Sequence, residues 1–271
     1  MGGTGTTLVP ATAPGALTEA AGRELAQAFD ALETVSLAAR LASTAGTPIE
    51  MLAANLPAPI RGALDGAVRT ALDTAAKGAL RSLDMPRTLN SERVHRGLAM
   101  MTGFMGGALG LPGTLAELPV TTGILLRQIA AIAAEEGEDL AAPGAAAECL
   151  KVFALGGPSK KDDAADAGYF AVRIALSQAL SGAIGRTLLP GFMAQIATRF
   201  GVPVGLKLSA QAAPLIGAAT GAAINLAFLK HFRDVARAHF TVRRLERLYG
   251  EATVRKAWDG MKASRDERFN G

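Results

Sequence analysis

The amino-acid sequence predicts an all-α protein, a single multi-helix domain of closely packed Gly- and Ala-rich helices. Three observations carry that expectation. Apolar residues recur at three- and four-residue steps in most segments between Gly and Pro breaks. Nowhere does a two-residue alternation of β-branched residues last long enough to argue for a strand. Aromatic residues make up only 5 % of the 271 residues while glycine alone numbers 31, so close approach of small-residue helices must replace bulky packing.

Residues 1–16, "MGGTGTTLVPATAPGA", lack the basic and apolar regions of a secretory signal and read as a disordered tail. "MGGTGT" fits the loose N-myristoylation pattern, which is short enough to arise by chance. The helical domain is expected over 17–262, followed by a polar tail at 263–271. Its first helix places Leu17, Leu25, Phe29, Leu32, Val35, Leu37 and Leu41 at helical steps, with Thr18 as N-cap. A break at 46–59 precedes a second, lined by Ile60, Leu64, Val68, Leu72, Ala75, Ala79 and Leu83, with Pro59 suited to its first turn. Ser91 can cap a third, which runs into the Gly-rich stretch "GFMGGALGLPG".

The pattern is helical again from Pro119 to Glu136, and Gly137 fits the position after a helix end. Pro143 should open the helix "PGAAAECLKVFAL", which "GGP" at 156–158 ends. Ser159 and Asp162 stand three apart, as in a capping box, and Asp162, Asp163 and Asp166 crowd what should be a first turn and a half. Helices are expected at 189–200 and from about 206 onward, the second interrupted near Pro214. Its downstream part carries the stripe Ile224, Phe228, Phe232, Val235, His239, Val242, Leu245 and Tyr249, and Gly250 ends it.

The single cysteine, Cys149, lies in an apolar run and cannot form an internal disulfide, which favours a reducing compartment. The net charge of +4 is mild, but from Lys230 to Lys256 eight Lys or Arg face only Asp234, Glu246 and Glu251. That segment reads either as a solvated face or as a surface for anionic lipid. Phe228, Phe232, Phe240 and Tyr249 lie on its apolar stripe rather than among its charges, so nucleic acid is not expected as a partner.

Residues 97–116 and 208–229 contain no ionisable side chain and are long enough to cross a bilayer. The first, however, holds Pro112 and six glycines, and the second Ser209, Gln211, Pro214, Thr220 and Asn225. Backbone and polar groups so placed cost several kcal/mol each in lipid unless neighbours satisfy them. A packed core is favoured over a span.

Three blocks together resemble the EcsC family: "GALGLPGTLAELPVTTGILLRQIAAIAAEEGEDL", "GGPSKKDDAADAGYFAVRIAL" and "PLIGAATGAAINLAFLKHFRDVARAHFTVRRLERLYG". The resemblance covers about 80–256. The family is bacterial and named for a gene found beside an ABC transporter, so the resemblance implies a transport association and no particular chemistry. The family's usual Asp before Leu-Pro is here Glu117.

Candidate ligand-binding residues form two groups. Glu117 and Arg127 sit in an apolar segment, where a charge needs a carboxylate, a cation or carbonyls. Ten residues turn a helix by about 280°, so the two do not stack directly, and either an ion pair holding a turn or contact with an anionic head group would account for them. Asp162, Asp163, Tyr169 and Arg173 are the second group: adjacent carboxylates suit a divalent cation and the Arg a phosphate, although capping alone explains the Asp pair. Lys230, Arg233, Arg237, Arg243, Arg244 and Arg247 are candidates for a membrane surface.

No zinc motif joins His95, His231 and His239, no GxSxG or Walker motif occurs, and no cofactor or metal is expected. The reading is a non-enzymatic protein peripheral to the inner face of the cell membrane, binding lipid or another amphipathic ligand. Alternatives are a scaffold or regulatory partner of an ABC transporter, and a metal-dependent hydrolase centred on Asp162 and Asp163.

Overall fold

The computed structural model describes residues 16–33, 37, 58–82, 117–142, 144–157, 168–180, 190–212 and 218–270. All regular structure among them is α-helical: α1 (Glu19–Glu33), α2 (Ala58–Ser82), α3 (117–135), α4 (Ala145–Leu155), α5 (Tyr169–Leu180), α6 (Pro190–Ala212), α7 (Ala218–Tyr249) and α8 (Glu251–Asn270). The long α7 touches α1, α4, α6 and α8, and α6 packs on α2, α4 and α5.

Local chemistry sets several ends. Thr18 caps α1, its Oγ1 accepting from the Ala21 N–H at 3.2 Å, and the same hydroxyl meets the Tyr249 phenol at 3.1 Å. After α3, Gly137 adopts φ +80°, with its N–H on the Ala134 carbonyl and the Glu138 N–H on the Ala133 carbonyl, a Schellman end. Gly250, at φ +86°, separates α7 from α8 and bonds to the Glu246 carbonyl. Both glycines stand where left-handed backbone would strain a side chain. The end of α4 is clamped from outside: the Arg199 Nε–H donates to the Ala154 carbonyl at 3.1 Å and His231 Nε2 to the Gly156 carbonyl at 2.8 Å.

Two apolar clusters fill the interior. The larger joins α2, α3, α4, α5, α6 and α7 around Phe153, Phe200, Phe228 and Phe232, whose rings meet edge-on or tilted; Phe153 and Phe200 are 4.7 Å apart. The smaller joins α1, α5, α7 and α8 around Phe29, Tyr169, Phe170 and Trp258. Leu64, Val68, Leu72 and Ala75 of α2 are buried, as are Ile224, Phe228, Phe232, Val235, His239, Val242 and Leu245 of α7, so both stripes face the core.

Four boundaries differ from expectation. Glu117 lies within α3, because Pro119 is tolerated in a first turn whose N–H groups have no helical partner. The helix expected from Pro143 begins at Ala145, after a left-handed Gly144. Residues 190–212 form one helix with Pro203 inside it, where a break was expected. Packing on α2, α4 and α5 offsets the lost rung. Residues 263–270 continue α8 rather than forming a tail: Arg268 Nε donates to the Ser264 carbonyl, and Arg265 lies over the Phe29 ring at 4.9 Å.

Candidate functional site

In the first of the two expected ligand-binding groups, Glu117 finds its cation outside the group. The Glu117 carboxylate pairs with Lys207 of α6, not with Arg127, and also accepts from Thr121 Oγ1 at 3.2 Å. Both partners are buried, and Lys207 lies 5.4 Å from the centre of the Phe228 ring. Burial holds the Lys207 ammonium below its ordinary pKa despite the pull of Glu117. The pair fastens α3 to α6. Arg127 is half-buried elsewhere on α3.

Most of the expected membrane-surface residues are engaged within the protein. Arg237 meets Glu135 at 2.7 Å and Glu136 at 3.4 Å. Arg244 bridges Glu136 at 2.8 Å and Glu24 at 2.7 Å. Arg243 grips both oxygens of Glu138, at 2.8 and 3.0 Å, and Arg247 pairs with Glu138 while donating to the Glu136 carbonyl at 2.6 Å. Burial would raise the Glu138 pKa, but Arg243 and Arg247 hold it below the ordinary carboxylate value. Lys230, at the other end, meets Asp234 at 2.7 Å on the surface, and Arg233 lies 3.9 Å from that residue.

Asp162 and Asp163 lie outside the described residues, as do His95, Ser91 and the uncharged run 97–116. The helix they were expected to open begins at Tyr169, and its first N–H is capped from a distance by Glu33 of α1, at 2.8 Å.

Tyr169 and Arg173 do come together, within a chain of polar groups threading the interior. The Tyr169 hydroxyl and His239 Nδ1 are 2.9 Å apart. On its other side His239 Nε2 faces Glu148 Oε2 at 3.4 Å. With a carboxylate there, the ring proton belongs on Nε2, and Nδ1 accepts from the phenol. Glu148 Oε1 accepts from Lys151 Nζ at 2.8 Å, and Lys151 Nζ donates again to Ser177 Oγ at 2.9 Å.

Burial pushes His239 down to about 4, against the pull of Glu148, so the ring is neutral near pH 7. Glu148 stays ionised: burial opposes its charge, but His239, Lys151 and Arg243 together hold its pKa well below the usual range. Burial raises the Tyr169 phenol and, with Glu148 next to it, pushes the Cys149 thiol up to about 12. The thiol and the phenol therefore both keep their protons at neutral pH.

Ser177 ends the chain at a groove of about 690 Å³ between one face of α5 and the junction of α7 with α8. Phe170, Ile174 and Ala252 supply its apolar surface, and Ile174 is 48 % exposed. Arg173 lies along it, held by both oxygens of Glu246 at 2.7 Å each, while Arg255 stacks on Phe170 at 4.7 Å and meets Asp259 at 3.1 Å. A second recess of about 610 Å³, between α1 and α7, is walled by the paired Glu24, Glu136, Arg237 and Arg244.

Sequence reasoning passed over Lys151, Glu148, Ser177, Lys207 and Glu246. Two signals were present. Phe170, Arg173, Ile174, Ser177 and Gln178 fall at i, i+3, i+4, i+7 and i+8, a helical face that mixes apolar and polar groups. Lys207 stands alone in an apolar stretch and needs a buried carboxylate.

The model of the EcsC protein family matches residues 19–245, most of the chain, including the N-terminal helices in which no family motif is apparent by eye. No curated protein and no solved structure matches the chain.

Proposed function

The chain belongs to the EcsC family, and from that premise we propose that it is a non-enzymatic helical protein that takes an amphipathic ligand, a lipid or its acyl fragment, into the groove between α5 and the α7–α8 junction. The observation that carries the reading is the groove itself. Exposed Ile174 and neighbouring Phe170 present apolar surface directly beside the Arg173–Glu246 pair and Ser177. Its size falls within the roughly 300–1,000 Å³ of small-molecule sites, and an apolar wall with a few fixed polar groups is their usual composition.

The protein would work as a peripheral companion of the membrane: no helix among the described residues is long and apolar enough to cross one. Among the described residues the other large exposed apolar side chains, Val120, Val202 and Leu248, lie on three different helices, so these residues support ligand binding in the groove better than a broad scaffold face.

Native mass spectrometry of protein purified without detergent tests the reading. Co-purified lipid in the wild type, absent from Ile174→Asp, is the expected result. Bare protein in both, before and after incubation with lipid, overturns it.

A further inference from the structure

The hydrogen bond between Lys151 and Ser177 restricts what the groove can recognise. Lys151 is 2 % exposed, and its ammonium can only donate. It gives one proton to Glu148 and another to Ser177 Oγ at 2.9 Å, so the serine oxygen is an acceptor on its inner side. Ser177 is itself exposed. Its own proton is not spent on Lys151 and is available to an acceptor in the groove.

The charges around that donor cancel. Arg173 and Arg255 face Glu246 and Glu251 across the groove. Arg173 is held bidentately by Glu246, and Arg255 gives its Nε–H to both oxygens of Asp259 while lying over the Phe170 ring. A carboxylate or phosphate entering here would lose water while meeting Glu246 and Glu251 as well as the two arginines, so its charge gains little net attraction. An uncharged acceptor, such as an ester or amide carbonyl, loses little water and gains the Ser177 proton.

Resting on the groove reading above, we propose that the site selects neutral acyl amphiphiles, meaning an acyl chain against Phe170, Ile174 and Ala252 with an uncharged carbonyl at its polar end. Ser177, oriented by Lys151, is the group that reads that carbonyl.

Trp258, the only tryptophan, reports on the site because its ring is 5.3 Å from that of Phe170. Its fluorescence in the full chain is titrated with monodecanoylglycerol and with decanoate, each below its aggregation concentration. The neutral ester should bind at least about tenfold more tightly. Ser177→Ala should weaken the ester roughly five- to tenfold, the value of one net hydrogen bond, and leave decanoate unchanged. Ser177→Thr, which keeps a hydroxyl, should restore most of the affinity. Equal or tighter binding of decanoate, or an Ser177→Ala variant with unaltered ester affinity, overturns the selectivity while binding itself stands. If neither compound perturbs Trp258 and the purified protein carries no lipid, the groove reading falls and this inference with it.

Discussion

Replacing Lys207 by Met is the sharpest test of how the interior is held together. Methionine has nearly the shape of the lysine stem, so the substitution removes a charge while keeping most of the packing. In the native protein the Lys207 side chain has no solvent exposure and that of Glu117 only 5 %, and the other hydrogen bond to this carboxylate comes from Thr121. Without Lys207, the carboxylate is left in the core with one neutral donor. Breaking a buried pair from one side costs about 3–5 kcal/mol. For a chain of this size each kcal/mol corresponds to roughly 2–4 °C in Tm, so a drop of at least about 6 °C is expected.

The double variant Glu117→Gln, Lys207→Met removes both charges and should recover most of that loss, because the penalty belongs to the orphaned carboxylate rather than to the missing attraction. Urea unfolding followed by circular dichroism, with thermal melts alongside, provides the assay. If Lys207→Met loses less than about 1 kcal/mol, or if the double variant is no more stable than the single one, Glu117 is not desolvated and the reasoning fails.

Three further perturbations follow from the same geometry. His239 is pushed down to about 4 from the ordinary 6.5, so the unfolded chain takes up its proton first. Stability is therefore lost as pH falls from 6.5 toward 4, by up to about 3 kcal/mol. His239→Gln, which keeps a polar partner for Tyr169, should flatten that part of the urea-midpoint curve, and an unchanged slope would refute the assignment. Gly156→Ala puts a methyl group into the Phe232 ring edge where α4 ends. Overpacking there should cost about 1–3 kcal/mol, whereas a melt within 1 °C of wild type would mean the junction can give. Finally, Glu138→Gln removes the carboxylate shared by Arg243 and Arg247. In sedimentation with anionic vesicles this variant should be retained more than wild type, and more so at low salt. Equal retention of the two would show that these arginines already reach lipid past their partners.

The all-α class was legible in the sequence because helical periodicity is local: the stripe of α7 and the apolar face of α2 are both visible before any packing is known. Gly137 and Gly250 were legible as ends for a similar reason, since a glycine after an apolar helical run answers a backbone need within one turn. What stayed hidden depends on distance along the chain. Glu117 finds its cation 90 residues away, and the α5 N-terminus takes its cap from Glu33, 136 residues upstream. Arg173 was recognisable as a candidate, but the lysine and serine that complete its surroundings look ordinary in their own helices. Only the fold brings Lys151 of α4 to Ser177 of α5.

The basic segment shows how this changes a functional argument. Counted along the chain, residues 230–256 form an electropositive stretch, and such a stretch invites a membrane. Folded, Arg237, Arg243, Arg244 and Arg247 stand against Glu24, Glu135, Glu136 and Glu138, which are contributed by α1 and by the end of α3. The contacts serve both sides, since glutamates at the C-terminus of α3 face the negative end of its dipole and gain from cations that also engage its last carbonyls. The arginines thus fasten α7 across the bundle instead of leaving a uniformly basic face. Sequence charge surplus is then a poor guide to the partner. In the proposed reading the groove at the α7–α8 junction, where a charge-balanced lining adjoins exposed Ile174, would offer a ligand the larger gain through apolar contact, which needs no arginine released from its carboxylate.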